Sequence, residues 1–373
     1  MKFDLVATCL FGLEHLLGEE IEALGYERVM TMDGRVVFRG DEEAVALANL
    51  FLRYAEHVYI KVGGFMARSF DELFEATRAL PWEAYVGKDD AFPVKGHAIA
   101  SRLHSVPDCQ KIVKRAIVSR LSEKYGLTWF AETGVKYQVE FFIFKDEAAL
   151  MIDTSGAPLY KRGYRTEAGI APIRETLAAA LAAISRPREE VLFWDPMCGS
   201  GTIAIEAAML ARDIAPGLRR SFAAEAFPFV GKTRFHEARE EARSRILRNN
   251  FCVFASDIDP AMVALTGANV ERAGLGGTIR AFQADARKIS ADRRGTIVCN
   301  PPYGERMQMD GQVERLYREI GEHFRALAPW QVYIITSHPE FERLYGKPAD
   351  KKRKLYNGMI RCTLYQYFKN EKR

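Results

Sequence analysis

From residue 172 onward, strand-like and helix-like runs alternate. No other feature of the sequence limits the possible folds as much. Residues 172–184 read as an alanine-rich helix. Strands are expected over 191–195, 252–257, 279–285, 296–300 and 332–337, with helices over 202–212, 260–273 and 313–327. Strands separated by helices pair in parallel, because each crossover returns the chain to the same end of the sheet. The pattern therefore predicts a doubly wound α/β domain. An Asn357-Gly358 turn joins the strand-like runs 353–356 and 359–368, so the sheet should end in an antiparallel pair.

Upstream the pattern is α+β. Residues 1–60 read as one unit, with strands over 4–8 and 35–38 and helices over 13–24 and 41–52. Residues 61–158 read as a second, with strands over 61–65 and 98–101, helices over 70–80 and 107–125, and a hairpin over 135–154 turning at Lys145-Asp146-Glu147. Residues 159–171 are basic, hold two glycines and keep no period, which marks a linker to the domain over 172–373. An insertion over 213–250 is first aromatic, with Phe222, Phe227 and Phe229, and then a charged helix; the sequence assigns it no role.

The first strand of the α/β domain runs into Asp195-Pro196-Met197-Cys198-Gly199-Ser200-Gly201-Thr202 and then a helix. Gly199 and Gly201 let the backbone turn sharply and approach a ligand. The helix N-terminus turns free N–H groups toward an anion. Gly199 to Ala204 also fits a dinucleotide fingerprint, but Asp195 would sit badly beside a pyrophosphate. A carboxylate there suits the α-ammonium of S-adenosylmethionine. The next two strands end at Asp257-Ile258-Asp259 and at Asp285-Ala286, supplying acids for ribose hydroxyls and an adenine amine. Asp195, Cys198, Gly199, Ser200, Gly201, Thr202, Asp257, Ile258, Asp259, Asp285 and Ala286 are the expected cofactor contacts, with Asn300 beside them.

The fourth strand leads into Asn300-Pro301-Pro302-Tyr303-Gly304. An exocyclic amine on a base is a poor nucleophile, because its lone pair is delocalised into the ring. Two acceptors that hold its N–H bonds would steer the lone pair toward a methyl donor, and the Asn300 amide oxygen and the Pro301 carbonyl are suited to this. The prolines fix the loop and remove competing donors. Tyr303 offers a face for stacking a base, worth roughly 1–3 kcal/mol in single-strand binders. The loop continues through Glu305, Arg306 and Met307, of which Arg306 suits a phosphate or base as well as a plain surface position.

Hydrophobic residues make up 48% and charged residues 27%, enough to build a core without cross-links. The six cysteines show no C-x-x-C spacing and read as reduced thiols of a cytoplasmic protein; no metal site is expected. The N-terminus lacks a signal-peptide pattern, and no apolar run is long enough to span a membrane. Net charge is +4, so the distribution of basic residues matters more than their sum. In the helix over 107–125, Ile112, Val113, Ala116, Ile117 and Leu121 form the apolar stripe. Lys111, Lys114 and Arg115 lie off it, with Arg102 and His104 upstream, giving a candidate phosphate-binding face that could equally be a solvated one.

The series DPMCGSGT, ASDID, QADA and NPPYGER resembles the class I S-adenosylmethionine-dependent RNA methyltransferases. SRLHSVPDCQKIVKRAIVSRL is similar to the core of the THUMP domain, an RNA-binding module. LYKRGYR with APIRETLAAAL resembles the THUMP-to-catalytic junction, and KRKLYNGMIRCTLYQY the C-terminal strands. The resemblance covers almost the whole chain and is strongest to bacterial THUMP-containing rRNA guanine-N2 methyltransferases, with tRNA enzymes next. It implies a Rossmann-like seven-stranded methyltransferase domain preceded by ferredoxin-like and THUMP domains. It also implies Asp195, Gly199 and Gly201 at the methionine moiety, Asp257 at the ribose, Asp285 at the adenine, and Asn300, Pro301, Pro302 and Tyr303 at the target base. RNA is the implied partner, rRNA before tRNA, and a monomer is the default expectation.

Overall fold

In the computed structural model, residues 2–165, 173–302 and 311–368 are described. The N-terminal half holds β1 (Phe3–Cys9), α1 (Glu14–Ala23), β2 (Arg28–Met32), β3 (Arg35–Gly40), α2 (Glu42–Phe51), β4 (Ala55–Met66), α3 (Phe70–Arg78), β5 (Val94–Ile99), α4 (Val106–Tyr125), β6 (Val139–Phe144) and β7 (Glu147–Asp153). The C-terminal half holds α5 (Glu175–Ser185), β8 (Leu192–Asp195), α6 (Thr202–Ala211), α7 (Gly231–Ser244), β9 (Val253–Asp257), α8 (Pro260–Ala273), β10 (Ile279–Gln283), β11 (Gly295–Cys299), α9 (Gln312–Ala326), β12 (Gln331–Thr336), α10 (Phe341–Tyr345), β13 (Lys351–Asn357) and β14 (Ile360–Tyr367).

Each half is built on a seven-stranded sheet. The first runs β2-β3-β1-β4-β7-β6-β5. Its central strand β4 crosses residue 60, where the sequence suggested a division, so both N-terminal units share one sheet. β4 begins six residues earlier than expected and β6 four residues later, and two further strands differ. β2 was not anticipated: it is an edge strand with four of five residues exposed, so it carries no alternation to read. β5 begins four residues earlier than expected. Gly96 interrupts its apolar pattern, and a Cβ there would meet the Phe141 carbonyl at 2.2 Å. The β6–β7 turn places Lys145 and Asp146 at φ +51° and +67°, the left-handed pair of a two-residue hairpin. α2 starts where Asp41 accepts a hydrogen bond from the Ala44 N–H.

The second sheet runs β10-β9-β8-β11-β12-β14-β13, with β14 antiparallel to β12 and β13. The other pairs are parallel, so β8, β9, β10 and β11 present their carboxyl ends on one edge. α5 and α6 are apolar nearly all round and are buried along most of their length.

The 213–250 insertion joins the halves. Phe227 stacks on Tyr137 at 4.4 Å, and Phe229 meets Phe3 and Tyr85 at 6.1 and 5.9 Å. α7 packs on α2, with the Arg245 guanidinium 4.7 Å from the Phe51 ring. The linker adds polar cement: Arg162 donates to the Leu159 and Arg53 carbonyls and faces Glu206 on α6 at 3.6 Å, while the Tyr164 hydroxyl donates to the same carboxylate at 2.9 Å. Five of the six cysteines are buried free thiols and Cys252 is half-buried. Among the described residues, no helix is long and apolar enough to cross a membrane.

Arg162 and Glu206 are both shut off from solvent. Removing one member leaves a buried charge uncompensated, whereas removing both does not. Arg162→Leu is therefore expected to cost about 3–5 kcal/mol, and Arg162→Leu/Glu206→Leu appreciably less. Thermal unfolding of the two variants checks the order.

Candidate active site

The carboxyl edge of the second sheet opens into a cavity of about 810 Å³. This is within the range of small-molecule sites. Its walls include Asp195, Cys198, Gly199, Ser200, Thr202, Asp257, Ile258, Asp285, Ala286, Asn300 and Pro302. Eleven expected residues therefore meet in one space, although they come from four separate strand ends. Gly201, Asp259 and Pro301 are not in the wall, and Tyr303 lies outside the described residues, as do Glu305, Arg306 and Met307.

The glycine loop is held from behind. Gly199 sits at φ +53°, and Gly201, at φ +79°, precedes the first turn of α6 with no side chain capping it. The two glycines are required for different reasons. A Cβ on Gly201 would come within 2.8 Å of Thr266, whereas Gly199 has open space and is constrained by its backbone angle alone. α8 takes the loop's carbonyls: the Thr266 hydroxyl donates to Gly199 at 2.8 Å, and the Asn269 amide to Ser200 at 2.9 Å. Asp257 takes N–H groups, accepting from Gly199 on one oxygen (2.9 Å) and from Asp259 on the other (3.0 Å). The unshared N–H groups of the first turn of α6 are left at the cavity.

Asp195 is 1% exposed. Burial pushes its carboxyl well above the ordinary range, only partly opposed by the Met197 N–H at 3.3 Å, and the Asp257 charge adds to the rise. A buried carboxyl that faces a cavity, with no cation paired to it among the described residues, suits an ammonium group from a ligand. Asp259 caps α8 through the Ala261 N–H at 2.8 Å and is exposed. Cys198 is buried and its thiol is pushed up, so it packs the loop and is no nucleophile.

Asp285 differs from a free adenine partner. Its carboxylate is gripped by the Arg287 guanidinium at 2.7–3.0 Å, which holds the carboxyl below its usual range. Arg287 also reaches Glu319, which pairs with Arg315. The sequence reading missed this Asp-Arg-Glu-Arg chain and the apolar wall of Ile173, Met262, Leu265 and Leu316. The signal available was on α9: Gln312, Arg315, Leu316 and Glu319 recur at helical spacing, and all four line the cavity.

Asn300 follows β11, and its amide oxygen is buried with no hydrogen-bond partner among the described residues. Such an acceptor is costly unless something fills it. The loop beyond is anchored, since the fully buried Tyr317 donates its hydroxyl to the Pro302 carbonyl at 2.9 Å and lies 2.9 Å from the Thr336 hydroxyl. Asn300 thus shares a cavity with the Gly199 turn.

The expected basic face of α4 is corrected at one position. Lys111 and Arg115 are exposed, as are Arg102 and His104. Lys114 is drawn inward: its ammonium lies 3.4 Å from the Phe92 ring centre and 2.5 Å from Glu132, partners supplied by the segment before β5 and by the segment between α4 and β6.

A sheet of this order, with a glycine loop, strand-end acids and a ligand-sized cavity at its carboxyl edge, defines a class I S-adenosylmethionine-dependent methyltransferase domain. Comparisons with known proteins agree. Residues 162–366 match the RMKL-like methyltransferase domain, residues 4–59 the RlmL ferredoxin-like domain, and residues 67–153 the THUMP domain. YpsC of Bacillus subtilis (strain 168), provisionally named an RNA methyltransferase, is 44% identical over 98% of this chain and 96% of its own length. The ribosomal RNA large subunit methyltransferase K/L of Psychromonas ingrahamii is 33% identical over 97% of this chain, which spans about half (50%) of that relative's length. Among solved structures, SMU.472, provisionally named a methyltransferase and crystallised with S-adenosylhomocysteine, is 39% identical with a TM-score of 0.93 over 100% of this chain and 99% of its own. A Listeria monocytogenes (str. 4b F2365) protein, designated by prediction an N6-adenine-specific DNA methylase, is 46% identical with a TM-score of 0.93 over 99% of this chain and 97% of its own. The chain belongs to the RMKL-like, THUMP-containing family of S-adenosylmethionine-dependent RNA methyltransferases.

An ammonium beside Asp195 favours the ionised carboxylate, so cofactor binding should release a proton and tighten as pH rises through the Asp195 pKa of the free protein. Calorimetry in buffers of different ionisation enthalpy reads this directly. Asp195→Asn is expected to weaken S-adenosylmethionine roughly 10–100-fold and to remove the buffer dependence; a wild-type binding enthalpy that is the same in every buffer would contradict the assignment.

Proposed function

We propose that this chain methylates the exocyclic N2 amine of a guanosine in RNA, with large-subunit ribosomal RNA as the substrate. The observation that carries the reading is the buried, unpartnered Asn300 oxygen in the same cavity as the glycine loop. S-adenosylmethionine supplies an electrophilic methyl group on a sulfonium that leaves as a neutral thioether. Asn300 and the Pro301 carbonyl accept the two N–H bonds of the amine, leaving its lone pair free to point at the methyl. The amine becomes acidic only as the N–C bond forms, so it loses its proton to solvent afterwards and needs no strong base beforehand. Asp195 holds the ammonium of the donor, and Tyr317 keeps the tetrad loop in place through Pro302. Catalysis by such a site is largely the positioning of two substrates.

Three observations support RNA as the substrate. A THUMP domain precedes the catalytic domain. The relatives of the K/L type are named for ribosomal RNA. Lys111, Arg115, Arg102 and His104 leave a basic, exposed surface on the THUMP unit. A base in a helix must be extruded before it reaches such a cavity, at a cost of a few kcal/mol, so an unpaired stretch is the easier target. A tRNA guanosine is the runner-up. Adenine-N6 methylation is the other reading, favoured by the designation of the Listeria structure and by the shared chemistry of exocyclic amines.

Asn300→Ala is expected to lower methyl transfer by at least about 100-fold, by analogy with the loss of one oriented hydrogen-bonding group at other active sites. It should leave S-adenosylmethionine affinity within a few-fold. Nucleoside analysis of treated, unmodified RNA should yield N2-methylguanosine; N6-methyladenosine would overturn the base assignment. Lys111→Ala/Arg115→Ala should weaken RNA binding and flatten its salt dependence by about 1.4–1.8 units of slope, two phosphates' worth. Lys114→Ala should instead lower the melting temperature with little change in that slope. Equal salt slopes for the wild type and the Lys111/Arg115 variant would remove α4 from the RNA interface.

A further inference from the structure

The C-terminal hairpin β13–β14 is left unused by the site. It is cationic: Lys351, Lys352, Lys354 and Arg361 are exposed and Arg353 is half-buried. Lys352 pairs with Glu342, while Lys351, Arg353, Lys354 and Arg361 meet no carboxylate among the described residues. At its tip Met359 is 97% exposed and Ile360 49%. Large apolar side chains at a protruding turn, set among unpaired cations, suit neither a solvated edge nor a core.

Register places this tip on the same edge of the sheet as the cavity. Cys299 is level with Ile334, and Ile334 with Tyr365. Asn300 therefore lies two strands from β14, about 10 Å across the sheet, and Met359 stands about 16 Å beyond it along the strand direction. Because β14 runs antiparallel, its N-terminal end and the Asn357-Gly358 turn rise from the same edge as the carboxyl ends of β8 and β11. Tyr356 and Arg361 are cross-strand partners, and Lys354 is two residues from Tyr356, so the three share one face. Lys354 lies 5.3 Å from the Tyr356 ring centre. Phe11, from the N-terminal unit, meets the same ring edge-on at 5.8 Å and is itself 53% exposed. The hairpin thus connects the catalytic rim to the N-terminal half by an aromatic contact flanked by cations.

We propose that this hairpin is a second RNA-contact surface, which holds the single-stranded segment flanking the target nucleotide. Lys354 and Arg361 hold phosphates, and Tyr356, Phe11 and Met359 present apolar surface to unstacked bases. Alternating cations and aromatic faces are what a single strand requires, because charge follows the backbone and every base has a face to stack. RNA is the partner because the surface charge is complementary to phosphate and lies on the same edge of the sheet as the acceptor for the base. This rests on the function proposed above.

The test uses the full chain and a fluorescein-labelled, guanosine-containing single-stranded RNA oligonucleotide, with affinity measured by anisotropy across a salt series. Lys354→Ala/Arg361→Ala should weaken binding about tenfold near physiological salt and reduce the salt slope by about 1.4, two phosphates' worth for a single strand. S-adenosylmethionine affinity should be unchanged, and Lys354→Arg/Arg361→Lys should bind RNA as the wild type does. A double-alanine variant with wild-type RNA affinity and slope overturns the proposal, and a hairpin that serves a protein partner or a second copy of the chain gives that result. If the wild type binds RNA and methylates it while the variant behaves identically, only the hairpin assignment falls. If the wild type binds no RNA, the proposed function falls with it.

Discussion

A glycine loop keeps one shape only if something outside it takes up its backbone carbonyls. In this chain that something is α8. Thr266 and Asn269 take the carbonyls of Gly199 and Ser200, and the Asp257 carboxylate ties the Gly199 N–H to the end of β9. The loop is then fixed before any ligand arrives, so binding need not order it. The approach of α6 to α8 that this demands leaves no room for a Cβ at Gly201. Replacing either helix partner would free the carbonyl it holds and loosen the wall that the cofactor needs.

The same loop is connected to the N-terminal half through the linker. Arg165 donates to the Ile173 carbonyl at 3.1 Å, to the Thr202 hydroxyl at 3.3 Å and to Glu175 at 3.0 Å. Thr202 lies 3.1 Å from the Ser200 hydroxyl inside the cavity wall. Burial pushes Glu175 up to about 7, and Arg165 offsets part of that rise. A chain of four polar groups therefore runs from linker to cofactor loop. Together with the aromatic insertion on Tyr137, it ties the N-terminal half to the catalytic half.

Much of this was legible in the sequence because the signals were local. The strand–loop–helix around Gly199 and Gly201, the acids at strand ends and the Asn-Pro-Pro run each declare themselves within a few residues, and fold topology alone brings them to one edge. What was not legible depends on distant partners. Nothing near Asp285 and Arg287 shows that the pair will reach Glu319, and nothing near Lys114 shows that Phe92 and Glu132 will turn it inward. β2 went unread because an exposed edge strand keeps no apolar alternation. The 213–250 insertion looked like an isolated aromatic run because its partners, Phe3, Tyr85 and Tyr137, lie 70 or more residues away in sequence.

The central claim is that the Asn300 oxygen exists to receive an amine. A crystal structure of the chain with S-adenosylhomocysteine and a guanosine-bearing RNA that it methylates tests this most directly. The account requires the guanine N2 within hydrogen-bond distance of the Asn300 oxygen and facing the sulfur. An amine placed elsewhere, or an Asn300 oxygen bonded to another protein group in that complex, would contradict it.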